Sequence, residues 1–154
     1  MKTLVVYDSM YGNTEKIAKA IGHALVGDFK VRAASEVDAA ELEFSNLLIV
    51  GSPTQGFQPT KPIQAFIASI PPEAINGKFV AAFDTRISAD KAGKGLRFIM
   101  KIGGYAAPRI AKSLVKRGGN LVVPAEGFFV KDKEGPLVDG EIERAARWAR
   151  SMAH

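Results

Sequence analysis

Short apolar runs alternate with segments of helical length along this chain of 154 residues. The run at residues 47–50 reads Leu-Leu-Ile-Val without a polar interruption, which is typical of a strand covered on both faces. Strands that alternate with helices join into a parallel sheet through right-handed crossovers. The sequence therefore predicts an α/β fold, in which a doubly wound, five-stranded parallel sheet carries helices on both faces.

The expected elements account for most of the chain, and residues 1–154 have the length of one domain with a substantial core. The predicted strands are residues 4–7, 29–33, 47–50, 78–83 and 121–123, the last interrupted by Pro124 and resumed near 127–130. The predicted helices are residues 13–26, a short turn at 38–42, a helix with Pro62 in its first turn, residues 108–117, and a last helix opening at 139–141. The apolar residues expected on the inner helix faces are Ile17, Ala18, Ile21, Ala24, Leu25, Ile63, Phe66, Ile67, Ile110, Ala111, Leu114, Val115, Ile142, Ala145, Ala146, Trp148 and Ala149.

A polar loop, Ser9-Met10-Tyr11-Gly12-Asn13-Thr14, lies between the first strand and the first helix. The first N–H groups of a helix have no intrahelical partner and the macrodipole is positive there, so a phosphate can satisfy several donors together. The hydroxyls of Ser9 and Thr14 add donors, and Gly12 allows a close approach. The loop therefore predicts a phosphate site, the alternative being an ordinary polar turn into a helix.

The string from Tyr7 to Thr14, with Ala18 four residues on, resembles the FMN phosphate loop of the flavodoxin superfamily. The resemblance implies a bound FMN and the strand order 2-1-3-4-5, and it covers nearly the whole chain. Tyr11 stands where that superfamily usually has a second small hydroxyl residue. The Ser-Met-Tyr-Gly form is also similar to the quinone-reductase branch. The sequence at 83–86 and the tail at 128–141 are most similar to short bacterial flavodoxin-domain proteins.

The loop after the third strand, residues 51–59, resembles the loop that covers one face of the flavin ring. Phe57 is expected to stack on the ring, with Pro53 beside it, and Thr54, Gln55 and Gly56 are expected to bond to the ring or the ribityl chain. A solvent-exposed turn is the alternative, because Gly, Pro and polar residues also mark surface loops.

The loop after the fourth strand reads Asp84-Thr85-Arg86 and is expected to contact the pyrimidine side of the ring. A guanidinium near N1 would favour the reduced, negatively charged flavin and raise its potential. The alternative is an ion pair of Arg86 with Asp84 or with a carboxylate elsewhere in the chain. Tyr105 is a further candidate for reaching the ring.

The formal net charge of +5 is concentrated in one segment, residues 85–119, which is +8 while the remainder is −3. Its basic residues are Arg86, Lys91, Lys94, Arg97, Lys101, Arg109, Lys112, Lys116 and Arg117. Such a field attracts acidic proteins, anionic ligands or a membrane surface. Within it, residues 89–105 are expected to form a lid, a docking surface with peripheral membrane contact, or a packed loop.

Several functional classes are excluded or disfavoured by composition. The chain has no cysteine, which excludes thiol catalysis, and His23 and His154 suggest no metal site. No stretch is apolar enough for a membrane span, so a cytoplasmic location is expected. No catalytic side chain and no nucleic-acid-binding module are recognisable.

Three functions remain open. The first is electron transfer through a noncovalently bound FMN to a redox partner with an acidic docking face. The second is an FMN-dependent oxidoreductase of the NAD(P)H:quinone reductase or protoporphyrinogen oxidase type, acting on a small anionic or quinone substrate. The third is a binding module that has lost the flavin.

Overall fold

The structure is a computed structural model that describes residues 1–87 and 104–152. Its strands are β1 (Lys2–Tyr7), β2 (Asp28–Ala33), β3 (Leu47–Pro53), β4 (Phe79–Ile87), β5 (Asn120–Leu121) and β6 (Glu126–Val130). Its helices are α1 (Asn13–Ala24), α2 (Ala39–Phe44), α3 (Lys61–Ser69), α4 (Pro72–Ile75), α5 (Ala106–Lys116) and α6 (Glu141–Arg150), with a 3-10 turn at Ala34–Glu36. None of the helices in these two ranges is long and apolar enough to cross a membrane.

The strands pair in parallel in the order β2-β1-β3-β4-β5, and β6 also pairs with β4. The predicted order is confirmed. β5 lies beside the start of β4 and β6 lies beside its end, at residues 83–87. These two segments are the predicted interrupted strand, and Pro124 lies between them because it has no N–H to donate to a ladder. The first segment is shorter than predicted, ending at Leu121 instead of Val123.

Two cores flank the sheet, one on each face. Leu4 and Val6 of β1 pack with residues of α3 and α5, whereas Val5 packs with residues of α1 and α6. Alternate residues of one strand thus enter opposite cores, which is why the strand runs are apolar throughout. Two inner-face predictions were wrong: Val115 and Ile142 are 47% and 40% exposed, because they lie on the outer edges of their helices.

The ends of β3 and β4 that lead into the site are held by close packing. A Cβ added at Gly51 would lie 2.0 Å from the ring of Phe83, so only glycine leaves room for that fully buried side chain. Phe83, Phe128 and Trp148 form a triangle of edge-to-face contacts with centroids 5.9 to 6.2 Å apart. This rigid packing fixes the positions at which β3 and β4 reach the site.

Candidate functional site

The loops that follow β1 and β3 and the last residues of β4 surround one cavity of about 370 Å³ at the carboxyl edge of the sheet. Residues 84–86, which the sequence placed in a loop after the fourth strand, belong to β4, because the pairing with β6 extends that strand to Ile87. The lining residues of the cavity are Ser9, Met10, Tyr11, Asn13, Thr14, Pro53, Thr54, Gln55, Gly56, Thr85, Arg86, Ile87, Val130 and Lys133. The structure therefore brings together eleven of the fourteen residues that the sequence suggested for cofactor binding. The other three, Gly12, Phe57 and Asp84, do not line the cavity.

The first loop leaves the start of α1 open toward the cavity. Gly12 adopts a left-handed conformation with φ 89° at the N-cap, and no described side chain caps the helix. The Ser9 hydroxyl accepts a 3.0 Å bond from Gly12 N–H, and Lys16 makes the first helical bond, to the Gly12 carbonyl. The N–H groups of the first turn are thereby left to bind an anion.

A hydroxyl pair joins this loop to β4. Thr14 Oγ1 lies 2.7 Å from Thr85 Oγ1, and both residues are buried. Because one hydroxyl donates and the other accepts, each keeps hydrogen-bonding capacity toward the cavity they both line. The first loop and the end of β4 are therefore fixed relative to each other at the site.

The second loop forms a tight hairpin turn at its tip. Gln55 and Gln58 exchange two backbone hydrogen bonds of 2.9 Å, and the central residues Gly56 and Phe57 have φ of 52° and 68°. Positive φ at both central positions is the geometry of a type I′ turn, which is strained at a residue as bulky as Phe57. Gln55 Nε2 donates to Met10 Sδ across the mouth of the cavity. Stacking of Phe57 on a flavin stays a prediction, because its ring lies outside the lining.

Arg86 makes the ion pair that the sequence offered as an alternative to a flavin contact. Its Nε and Nη2 donate to the two carboxylate oxygens of Asp84 at 2.6 and 2.7 Å, and its guanidinium carbon lies 3.5 Å from the centroid of the Tyr105 ring. Tyr105 thus packs on Arg86 and does not line the cavity. A Cβ at Gly127 would collide with the guanidinium, so Arg86 is enclosed from a second side.

Asp84 links the end of β4 to the start of α5. Its side chain is fully buried and accepts a 2.8 Å bond from Ala107 N–H in the first turn of α5. Burial raises the pKa of Asp84, while the Arg86 guanidinium and the Ala107 N–H act in the opposite direction. Thr54 Oγ1 accepts from the neighbouring Ala106 N–H at 2.9 Å. The second loop and the end of β4 are therefore bonded to the same helix terminus.

Three lining residues were missed by sequence reasoning, namely Ile87, Val130 and Lys133. Ile87 was missed because β4 continues past residue 83, and Val130 because the register of β6 on β4 places it opposite Ile87. Lys133 belongs to a tail that the sequence linked only to a family resemblance. No local sequence signal pointed to Lys133, because its turn is brought to the cavity by a contact with Asn13, which is far away in the sequence.

The donor set fits FMN. Hydroxyls, amides and N–H groups surround the cavity, and its described lining contains two cations but no carboxylate. That combination suits an anionic phosphate at one end and a planar ring with polar edges at the other. Among residues 1–87 and 104–152, no group of three His, Cys, Asp or Glu side chains could hold a metal ion.

Comparison with known proteins gives a consistent result. The flavodoxin family model matches residues 5–127. A flavodoxin from the domain Archaea is 25% identical, with 99% of this chain and 96% of that chain covered at a TM-score of 0.79. Flavodoxin 2 from Bacillus cereus is 25% identical, with 99% and 98% covered at a TM-score of 0.71. Flavodoxin 1 from that organism is 20% identical, with 99% and 97% covered at 0.74.

A search of curated proteins finds no significant match to the sequence. The family match spans most of the chain, from the first strand to the start of β6, and includes the two loops and the end of β4 that line the cavity. The chain belongs to the flavodoxin family of FMN-binding electron-transfer proteins.

Proposed function

We propose that the cavity holds FMN with its phosphate at residues 9–14 and its ring between residues 53–57 and 84–86, and that the protein is an electron carrier. The observation that carries this proposal is the meeting of two loops and the end of β4 around an uncapped α1 terminus. The isoalloxazine ring supplies the redox chemistry when it is bound, so the chain needs no catalytic side chain of its own. Its residues bind and orient the cofactor.

The bonds among the loops preorganise this site. Thr54 and Asp84 are held by the first N–H groups of α5, and Thr14 by the Thr85 hydroxyl. A site that is already ordered loses less conformational entropy when its ligand binds. The exposed side chains of Met10 and Tyr11 form the outer wall, where the cavity opens to solvent.

An acidic docking partner is supported by a basic groove between α3 and α5. The groove starts at Gln58 and Pro59, next to the hairpin turn of the site, and Arg109, Lys116 and Arg117 line its α5 side. Arg117 donates to the Ile70 carbonyl, and no acid belongs to the described lining. Complementary charge would attract a partner with carboxylates and orient it beside the cofactor. Lys91, Lys94, Arg97 and Lys101 lie outside the described residues.

The positive electrostatic field of the groove is tested by the rate at which small charged oxidants react with the protein. The FMN-loaded, reduced protein is mixed with anionic ferricyanide or cationic hexaammineruthenium at increasing salt. The proposal predicts that the ferricyanide rate falls with salt, and that the pair Arg109→Gln and Lys116→Gln flattens this dependence. The matched pair Lys16→Gln and Lys19→Gln on α1 should leave it unchanged. Equal slopes in all three proteins would reject a role for the groove.

A turnover assay separates the carrier from the oxidoreductase alternative. FMN-loaded protein is given NADH or NADPH and a soluble quinone without any partner protein. A carrier predicts slow reduction, whereas rapid multiple turnover would identify a quinone reductase.

A cytoplasmic location is part of the proposal, supported by a chain without the cysteines that exported proteins use for disulfides.

A further inference from the structure

The segment between β6 and α6 folds back over the start of α1. Lys131 N–H donates to the Pro136 carbonyl at 2.8 Å, and Gly135 N–H donates to the Asp132 carbonyl at 2.9 Å. Val130 and Leu137 form an antiparallel bridge at its base. These bonds close residues 131–136 into a compact turn, which we call the C-terminal turn.

The C-terminal turn is fastened to the phosphate loop through Asn13. Asn13 Nδ2 donates to the Glu134 carbonyl at 3.1 Å, and a Cβ added at Gly135 would lie 2.7 Å from the same nitrogen. Gly135 has φ 102°, a conformation that glycine adopts readily. The turn therefore sits directly against the first residue of α1, where the anion site begins.

Lys133 lies at the tip of this turn and lines the cavity. Its backbone N–H is held by Asp132 Oδ1 at 2.8 Å, while its side chain is exposed. The other cation of the lining, Arg86, is paired with Asp84. Among the described residues no carboxylate forms an ion pair with the Lys133 ammonium, and the loop at 9–14 carries no charged side chain.

We propose that Lys133 is a phosphate-binding residue, whose ammonium pairs with the FMN phosphate from above the N–H groups of α1. The inference rests on the proposed function, since it names a residue of the same site. An ammonium near a phosphate dianion gains charge-assisted hydrogen bonds, which salt weakens when the pair is exposed. The pair favours FMN over riboflavin, which has the same ring and ribityl chain but no phosphate.

The test compares the binding of FMN and riboflavin to the unsubstituted protein and to three variants by quenching of flavin fluorescence. Lys133→Gln should weaken FMN binding by about twofold to fivefold, the range of an exposed ion pair, and leave riboflavin binding unchanged. Lys131→Gln is the matched control, with the same charge change in the same turn but outside the cavity lining. It should bind FMN like the unsubstituted protein. Lys133→Arg should restore most of the FMN affinity.

Salt provides a second readout. The FMN affinity of the unsubstituted protein should fall with added KCl more steeply than that of Lys133→Gln, while both proteins bind riboflavin independently of salt. Unchanged FMN affinity in Lys133→Gln would overturn the inference. Equal losses for FMN and riboflavin would also overturn it, because they would indicate a structural role. If the unsubstituted protein binds neither flavin, the proposed function fails and takes the inference with it.

Discussion

Arg86 is one of the two cations in the described lining of the cavity, and its guanidinium is bonded to Asp84. As a sequence feature it stands where a cation could raise the flavin potential, but the structure pairs it with a carboxylate that is fully buried. The pair has no net charge, so its effect on a nearby ring is that of a dipole and is smaller than that of a free guanidinium. The residue lines the cavity all the same.

Removing the Arg86 guanidinium should therefore destabilise the fold as well as the reduced cofactor. We expect Arg86→Gln to lower the free energy of unfolding by about 3 kcal/mol, because it leaves a buried carboxylate without its partner. It should also lower the midpoint potential of the bound flavin. The double variant Asp84→Asn with Arg86→Gln should recover part of both losses. Urea denaturation and a redox titration measure the two effects, and an unchanged stability in Arg86→Gln would contradict the ion pair.

Phe57 is the other residue whose role the structure sharpens. Its positive φ costs about 1 kcal/mol that an asparagine would largely avoid, since asparagine tolerates the left-handed region. Phe57→Asn should therefore keep or slightly raise the free energy of unfolding. If the ring stacks on the flavin, the variant should bind FMN more weakly. Thermal unfolding and FMN titration of one preparation give both values, and undiminished FMN affinity would reject stacking.

At the scale of elements, α6 and β6 are joined through one carboxylate. Glu141 Oε2 accepts from Phe129 N–H at 2.7 Å, and both its oxygens accept from Arg144. Burial acts to raise the pKa of Glu141, but the bonds from Arg144 and Phe129 outweigh it and hold the pKa below its usual value. Val130 is the last residue of β6 and lines the cavity. This carboxylate therefore supports one wall of the site.

The lowered pKa predicts how the stability depends on pH. The ionised Glu141 stabilises the fold fully above the unfolded-state pKa of about 4.3, and this contribution is lost as the pH falls through the lower folded-state value. Glu141→Gln should reduce the free energy of unfolding by about 1 to 3 kcal/mol near neutral pH. The difference from the unsubstituted protein should shrink below about pH 4. Exposed Glu143 on the same helix is the control, and a difference independent of pH would contradict the assignment.

The elements that sequence reasoning predicted correctly are those fixed by local pattern. Four apolar strand runs and the loop at residues 9–14 each carry their own signal, so the strand order and the convergence of loops follow from the fold class. The exposure of Val115 and Ile142 depends on which helix edge meets the sheet, and the partner of Arg86 depends on burial of Asp84. Lys133 reaches the cavity through a turn in which the Glu134 carbonyl accepts a hydrogen bond from Asn13, 121 residues away in sequence. Such long-range contacts have no local signature.

At the scale of the whole molecule, the cavity and the basic groove lie side by side. The carboxyl edge of the sheet holds the cavity, and the basic groove begins beside it at Gln58. In the described part of the segment at 85–119, Arg86 forms an ion pair with a carboxylate. The other basic residues of that part form no such pair, and they lie on α5 or directly after it. The predicted lid or docking role of residues 89–105 lies outside the described residues, apart from 104–105. The arrangement suits a carrier that must present a bound flavin to a partner of opposite charge.

The claim that this cavity binds FMN is tested by titration of the purified, flavin-free protein into FMN. We expect quenching of flavin fluorescence with one FMN bound per chain. We also expect weaker binding when Thr14 is replaced by Val, which keeps the shape of the side chain but removes the hydroxyl that faces Thr85. An FMN signal that does not change on addition of excess protein would contradict the claim.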